Sequence, residues 1–211
     1  MALNYAQDLA DYIRGYLDQD AVTIPDSAVE AFVRSVEGPI NRVLREHPRM
    51  RVRRSWRLHS GDNRIPIPDD MLQLIAVKRD SVALIQYPPQ LEDKASRCSA
   101  SFVNFGNCLQ VWPVPTEDVD YGLEMAIAIP SLLTSQSRYA LNIRGEYLEP
   151  NWIKLYHNDI YQQGLLGEAA GYLRDPQNQQ VWTGAFLQKL EALRMQGWNE
   201  AIAAGPRVHA A

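Results

Sequence analysis

Seven arginines crowd into one short stretch: Arg42, Arg45, Arg49, Arg51, Arg53, Arg54 and Arg57, with Glu46 the one acid between positions 42 and 57. A guanidinium presents a planar fork of donors, so such a block suits phosphate or carboxylate recognition. The competing reading is a solvated helix end whose arginines pair with the protein's own acids. No other constellation carries reactive chemistry. His47, His59, His157 and His209 are scattered, without the i, i+4 pairing or HExxH pattern that seats a metal. Cys98 and Cys108 lack CxxC spacing and lie in no nucleophile motif. Phosphate-cradling glycine loops and a GxSxG elbow are absent. Asp69-Asp70 and Glu92-Asp93 are adjacent acids of the kind turns commonly solvate, which leaves hydrolysis of a cell-wall polymer by Asp69 and Asp70 as the weakest reading. No catalytic residue, metal or cofactor is expected, and the chain reads as a non-enzyme.

Averages conceal the block. The chain has 211 residues, 21 Lys+Arg against 25 Asp+Glu, and a formal charge of -4. Residues 1–41 hold seven acids and two bases, residues 42–57 seven bases and one acid, and residues 58–211 twelve bases and seventeen acids. At 22% charged and 46% hydrophobic, the chain is neither a polybasic protein nor a disordered acidic tail. No apolar run nears the 20 or so residues of a membrane span, and no basic-then-apolar start marks a signal peptide. A soluble protein kept in reducing cytoplasm is the default expectation.

The elements that must position these residues follow from periodicity. Ala6, Leu9, Ala10, Ile13 and Leu17 repeat at helical spacing over 4–18. Ser27 and Glu30 predict an S-x-x-E capping box opening a helix over 27–46, with a kink expected at Gly38-Pro39 and a stop at His47-Pro48. From Ile65-Pro66-Ile67-Pro68 the pattern turns to short β-like runs, giving a sheet over 66–129. Gly106-Asn107 predicts a two-residue hairpin within it. Helices return over 151–174 and 176–202, the last announced by Asp175-Pro176 as N-cap and N1. The expected class is α+β: a bundle of two N-terminal and two C-terminal helices with a small central antiparallel sheet. Residues 1–202 are expected as a single domain and 203–211 as a flexible C-terminal arm.

Aromatics sort the same way. Trp152, Trp182 and Trp198 read as core or interface anchors, since indole packs well with one polar edge. Tyr87, Phe102, Phe105, Trp112 and Tyr121 fall among the strands with few bases between them, which favours core over a base-stacking platform.

Several short stretches, taken in order, resemble the head-to-tail adaptor (connector) family of tailed bacteriophages. They are Ile40-Asn41-Arg42-Val43-Leu44-Arg45, the extended Ile67-Pro68-Asp69-Asp70-Met71-Leu72, and the hairpin from Phe105 to Pro115. Ile129-Pro130-Ser131-Leu132 and Asn151-Trp152-Ile153 follow, then a helix with Tyr161 and Glu168-Ala169-Ala170-Gly171-Tyr172-Leu173, then Trp182 and Phe186. Pro150 stands where that family usually has Thr, and the Arg run over 49–57 is denser than its pattern.

The resemblance implies a structural virion protein made in the bacterial host cytoplasm and placed at the head-tail interface. It implies a ring, usually of 12 copies, that docks below the portal protein, extends the DNA channel and meets a downstream tail component (nozzle, tail terminator or tail tube). Packaged double-stranded DNA would be a transient contact, with no membrane and no cofactor. The arm, with Gly205, Pro206, Arg207, Val208 and His209, would then dock on the portal and fold on binding. Within this expectation the Arg block pairs with a neighbour's acidic first helix or lines the channel, pairing being preferred because a tight site would hinder DNA passage. The alternative is a DNA-binding module that uses 42–57 directly.

Overall fold

The computed structural model describes residues 7–133 and 151–203. The chain divides into two compact units: the parts up to His47 and from Ile129 form one, and Pro48–Ala128 forms the other. Where 1–202 is expected as one adaptor domain, the sheet region is thus a body of its own.

The first unit is helical. Its elements are α1 (Gln7–Leu17), α2 (Asp26–Leu44), the short α4 (Trp152–Tyr156), α5 (Asn158–Tyr172) and the long α6 (Pro176–Ala203). Val29, Phe32, Val33, Val36, Ile40 and Leu44 recur at three and four residues along α2, so one stripe of the helix is buried. It packs against α5 and α6, and the buried interior of the unit also holds Leu9, Ala10 and Ile13 of α1, Leu165, Leu166 and Ala169 of α5, and Phe186 and Leu190 of α6. The α1–α2 turn is fixed by Arg14, which donates to the Ile24 carbonyl at 2.8 and 3.0 Å and to Asp26 at 2.6 Å. The expected capping box does not form. Helix α2 begins at Asp26, one residue before Ser27, with Pro25 as a cap that has no side-chain acceptor, and the Asp26 carboxylate sits in the first turn beside Arg14. Pro39 lies within α2, which continues to Leu44. Asp175 caps α6 as its Asp-Pro pair predicts, accepting the Asn178 N–H at 3.1 Å.

Helices α5 and α6 run antiparallel along a glycine seam. A Cβ at Gly164 would reach Phe186, one at Gly167 would reach Thr183, and one at Gly171 would reach Gln179, the partner number falling as the glycine number rises. Spacing of three and four residues puts all three glycines on one face, where the missing side chains let the backbones close.

The second unit holds eight strands in two sheets, and here the single antiparallel sheet is corrected. One sheet has the order β1-β8-β3-β4, the other β2-β7-β6-β5. The strands are β1 (Arg51–Leu58), β2 (Arg64–Pro66), β3 (Met71–Arg79), β4 (Val82–Ala83), β5 (Ile85–Tyr87), β6 (Ser101–Asn104), β7 (Cys108–Trp112) and β8 (Val119–Ile127), with α3 (Glu92–Ala95) between β5 and β6. The sheet region starts at Arg51 rather than 66, and β5 pairs parallel to β6. The parallel pair arises because the chain passes through α3 before returning alongside β5 in the same direction. Val119, Tyr121, Leu123 and Met125 alternate inward along β8 and join Val77, Phe102, Leu109 and Val111 in a core shared by the two sheets. The hairpin at Gly106-Asn107 forms between β6 and β7, with Gly106 at φ 89° and Asn107 outside the positive-φ region, as a type II′ turn requires.

Candidate assembly surfaces

Strand β1 takes most of the arginine block and sorts it by face. Its period of two sends Val52, Arg54, Trp56 and Leu58 toward the interior side and leaves Arg51, Arg53, Ser55 and Arg57 exposed. Arg54, on the inner series, is held by both oxygens of Asp70 at 2.8 and 2.6 Å. That paired fork is a structural contact, and it gives half of Asp69-Asp70 an ordinary partner. On the exposed series Arg53 lies 3.9 Å from Glu124 and Arg57 3.6 Å from Asp118. His59 contacts the same Asp118 at 3.0 Å and, with the Ser60 N–H, holds its carboxyl below the usual range. Arg42 sits in the last turn of α2, Arg45 follows that helix as its C-cap, and Arg49 lies in the short turn Pro48–Met50. Among the described residues Arg42, Arg45 and Arg51 carry no ion pair. Pairing with the protein's own acids, as the competing reading expects, holds for Arg53, Arg54 and Arg57, but four of the seven arginines stand on a strand rather than at a helix end.

The helical unit contains a buried polar knot that joins three distant stretches. Asn151 caps α4 by accepting the Lys154 N–H at 3.0 Å, and its amide donates to the Pro130 carbonyl at 2.9 Å and to the Tyr161 hydroxyl at 2.7 Å. Glu37 accepts the Leu132 N–H at 2.8 Å, and Asn41 accepts that of Ile129 at 3.0 Å. Burial pushes the Glu37 carboxyl up, opposed by hydrogen bonds from Ser131, Leu132 and Tyr161. Burial first, then the Glu37 charge, drives the Tyr161 hydroxyl well above its ordinary range. Pro130-Ser131-Leu132 and Asn151-Trp152 are therefore one feature seen twice in the sequence: a turn and the side chain that holds its carbonyl. Sequence reasoning reached both stretches and the stretch that holds Asn41, but not the role of Glu37, whose place on the buried side of α2 gives no polar signal.

The three tryptophans occupy different settings. Trp152 is buried, stacked on His47 at 5.0 Å and edge-on to His157 at 5.8 Å. Trp182 is half-buried and takes Tyr16 edge-on at 5.4 Å, whereas Trp198 is 57% exposed. Gly197 lies so close to His47 that a Cβ there would fall 2.1 Å from the ring. Phe102, Trp112 and Tyr121 are buried in the sheet unit, Tyr87 is half-buried and Phe105 is exposed. Gly205, Pro206, Arg207, Val208 and His209 lie outside the described residues. Among the described residues no group of His, Cys, Asp and Glu is arranged to hold a metal, and no helix is long and apolar enough to cross a membrane.

The geometry is that of surfaces and internal clamps, and the sequence comparison agrees in kind. The model of the SU10 adaptor protein family matches residues 4–209. The chain belongs to the SU10 adaptor protein family. This is a family of phage head-to-tail adaptors, structural rather than enzymatic, so the resemblance drawn from the motifs holds. Membership in the SU10 adaptors makes the chain a virion component with oligomeric, portal and tail partners in general terms. No curated protein matches the sequence. In this SU10 adaptor the polar knot links two of the stretches that carry the resemblance, Ile129–Leu132 and Asn151-Trp152, and ties that turn to the helices.

Proposed function

We propose that this chain is the subunit of a head-to-tail adaptor ring that docks below the portal, extends the DNA channel and joins capsid to tail. The match to the adaptor family over nearly the whole chain carries this reading. Twelve copies form the ring. Portal contact is made through Gly205, Pro206, Arg207, Val208 and His209, and a nozzle, tail terminator or tail tube is the partner below. Trp152 and Trp182 anchor the helical unit internally, while the exposed Trp198 is free to meet another chain. Electron microscopy of portal mixed with this protein tests the proposal. A symmetric ring of added density on one face of the portal is expected, with twelvefold symmetry. Portal particles that remain bare at saturating protein overturn it.

A second reading, direct duplex-DNA binding by 42–57, is favoured by one observation: Arg42, Arg45 and Arg51 have no ion-pair partner among the described residues. It requires affinity that falls steeply with salt as phosphate counterions are released.

A further inference from the structure

The charges left over inside the helical unit have opposite signs at opposite ends of α2. Among the acids of the first segment, Asp8 pairs with Lys154, Asp26 with Arg14 and Glu30 with Arg34, and Glu37 is buried against the Leu132 N–H. Asp11, Asp18 and Asp20 have no cation partner among the described residues. The same segment also exposes aromatic surface. Tyr12 and Tyr16, one helical turn apart on α1, are 37% and 53% exposed, and Val22 beyond them is 88% exposed. The face is held in shape: the tyrosine rings lie 6.0 Å apart, Tyr16 rests on Trp182, and Asp20 accepts the Val22 and Thr23 N–H groups. At the far end of α2, a helix roughly 28 Å long at 1.5 Å per residue, stand the exposed Arg42 and Arg45, which have no ion-pair partner among the described residues.

One copy cannot bring these ends together, because α2 itself holds them apart. A second copy can. Exposed tyrosine rings with uncompensated carboxylates on the same segment suit long cationic side chains, since a guanidinium can stack on a ring or fork onto an acid. We propose that the Tyr12–Tyr16 face of α1 is the docking surface for a second copy of this chain, whose Arg42 and Arg45 seat on the tyrosines and pair with Asp11 and Asp18. This deepens the ring reading and rests on it for the identity of the partner. It also explains why Asp11 and Asp18 have no cation partner among the described residues, whereas Asp8 and Asp26 do.

The test uses the full chain, with self-association measured by sedimentation velocity at low and physiological salt. Asp11→Arg/Asp18→Lys reverses one surface and Arg42→Glu/Arg45→Glu the other, while Asp20 is kept because it caps its own turn. Each variant alone is expected to associate at least tenfold more weakly than the parent chain, with an unchanged circular dichroism spectrum. Mixed together they are expected to recover association to within about threefold, since each presents the sign the other needs. Recovery on mixing excludes misfolding as the cause of the loss. Recovered species that stop at a dimer keep this surface and overturn the ring. Variants that associate as well as the parent overturn the surface and leave the ring standing. Loss of duplex-DNA binding in Arg42→Glu/Arg45→Glu with association unchanged overturns it in favour of the DNA reading, and a parent chain monomeric even at low salt overturns both.

Discussion

Glu37 is a carboxylate in the wall of a helical core with no ion-pair partner among the described residues. Its charge is instead met by donors: the Leu132 N–H, and the Ser131 and Tyr161 hydroxyls. Burial still outweighs them and raises the carboxyl above its ordinary value. The folded protein therefore holds this proton at a pH where the unfolded chain has released it. Stability from this group is fully present below the ordinary glutamate value of about 4.3 and is lost as pH rises through the raised folded one. Glu37→Gln keeps an oxygen for Leu132 and removes the titration. Its unfolding free energy, measured by urea titration at several pH values, should decline less than the parent's over that window. Glu37→Ala strands the buried Leu132 N–H and should cost about 1–3 kcal/mol at any pH. The same contrast between clamp and ornament divides the arginines of β1. Arg54→Gln loses a paired, partly buried fork on Asp70 and should destabilise by about 1.5–3 kcal/mol. Arg53→Gln, 66% exposed and 3.9 Å from its acid, should stay within about 0.5 kcal/mol in the same titration.

At the scale of elements, what could be read from the sequence depended on whether apolar residues kept their period. The stripe on α2 is unbroken from Val29 to Leu44, so the helix was legible to within a residue at its start. Strand β1 was not legible, because Arg54 occupies an inward position between Val52 and Trp56 and the flanking arginines hide the alternation. Only Asp70, far along the chain, makes an inward arginine tolerable, and no local pattern announces that. The second sheet was missed for a related reason: its strands β2 and β5 have three residues each, too short to show a period. Of the assembly surfaces, the charge segregation was visible and the pairing within it was not, since ion pairs such as Asp8–Lys154 join distant positions. The glycines of α5 were likewise silent, because a glycine's role is set by what approaches it. That role can be tested by a pair of substitutions. A Cβ at Gly164 would lie 2.8 Å from a Val36 methyl and 3.1 Å from Phe186, whereas one at Gly184 meets nothing within 4 Å. Gly184→Ala should stabilise by about 0.8–1 kcal/mol through helix propensity alone. Gly164→Ala gains the same propensity but overpacks the core by about 1–3 kcal/mol, so urea denaturation should show it neutral to destabilised, always below Gly184→Ala.

For the whole molecule, the arginine block weighs less than its density suggests. The unit Pro48–Ala128 carries ten bases and ten acids, so the five arginines over 49–57 are formally cancelled within their own body. The cancellation is local in part: Arg54 has Asp70, Arg53 and Lys78 share Glu124, and Arg57 shares Asp118 with His59. The remainder of the chain, with eleven bases and fifteen acids, accounts for the whole net charge of -4. Binding to duplex DNA depends on cations free to displace phosphate counterions, each contributing about 0.9 to the slope of log affinity against log salt. Arginines already held by acids would have to give up those contacts first. The proposed channel role would gain from this arrangement, because contacts that are weak and easily broken let DNA pass. The free chain should therefore show no duplex binding in fluorescence anisotropy near 0.15 M salt, where exposed charges are screened beyond about 8 Å. At about 0.02 M salt any binding should be weak and carry a shallow slope, near that of the three uncommitted cations Arg42, Arg45 and Arg51 rather than all seven. Micromolar affinity at 0.15 M with a slope approaching minus six would instead mean that the block opens its internal pairs for DNA, and would make nucleic-acid binding its main task.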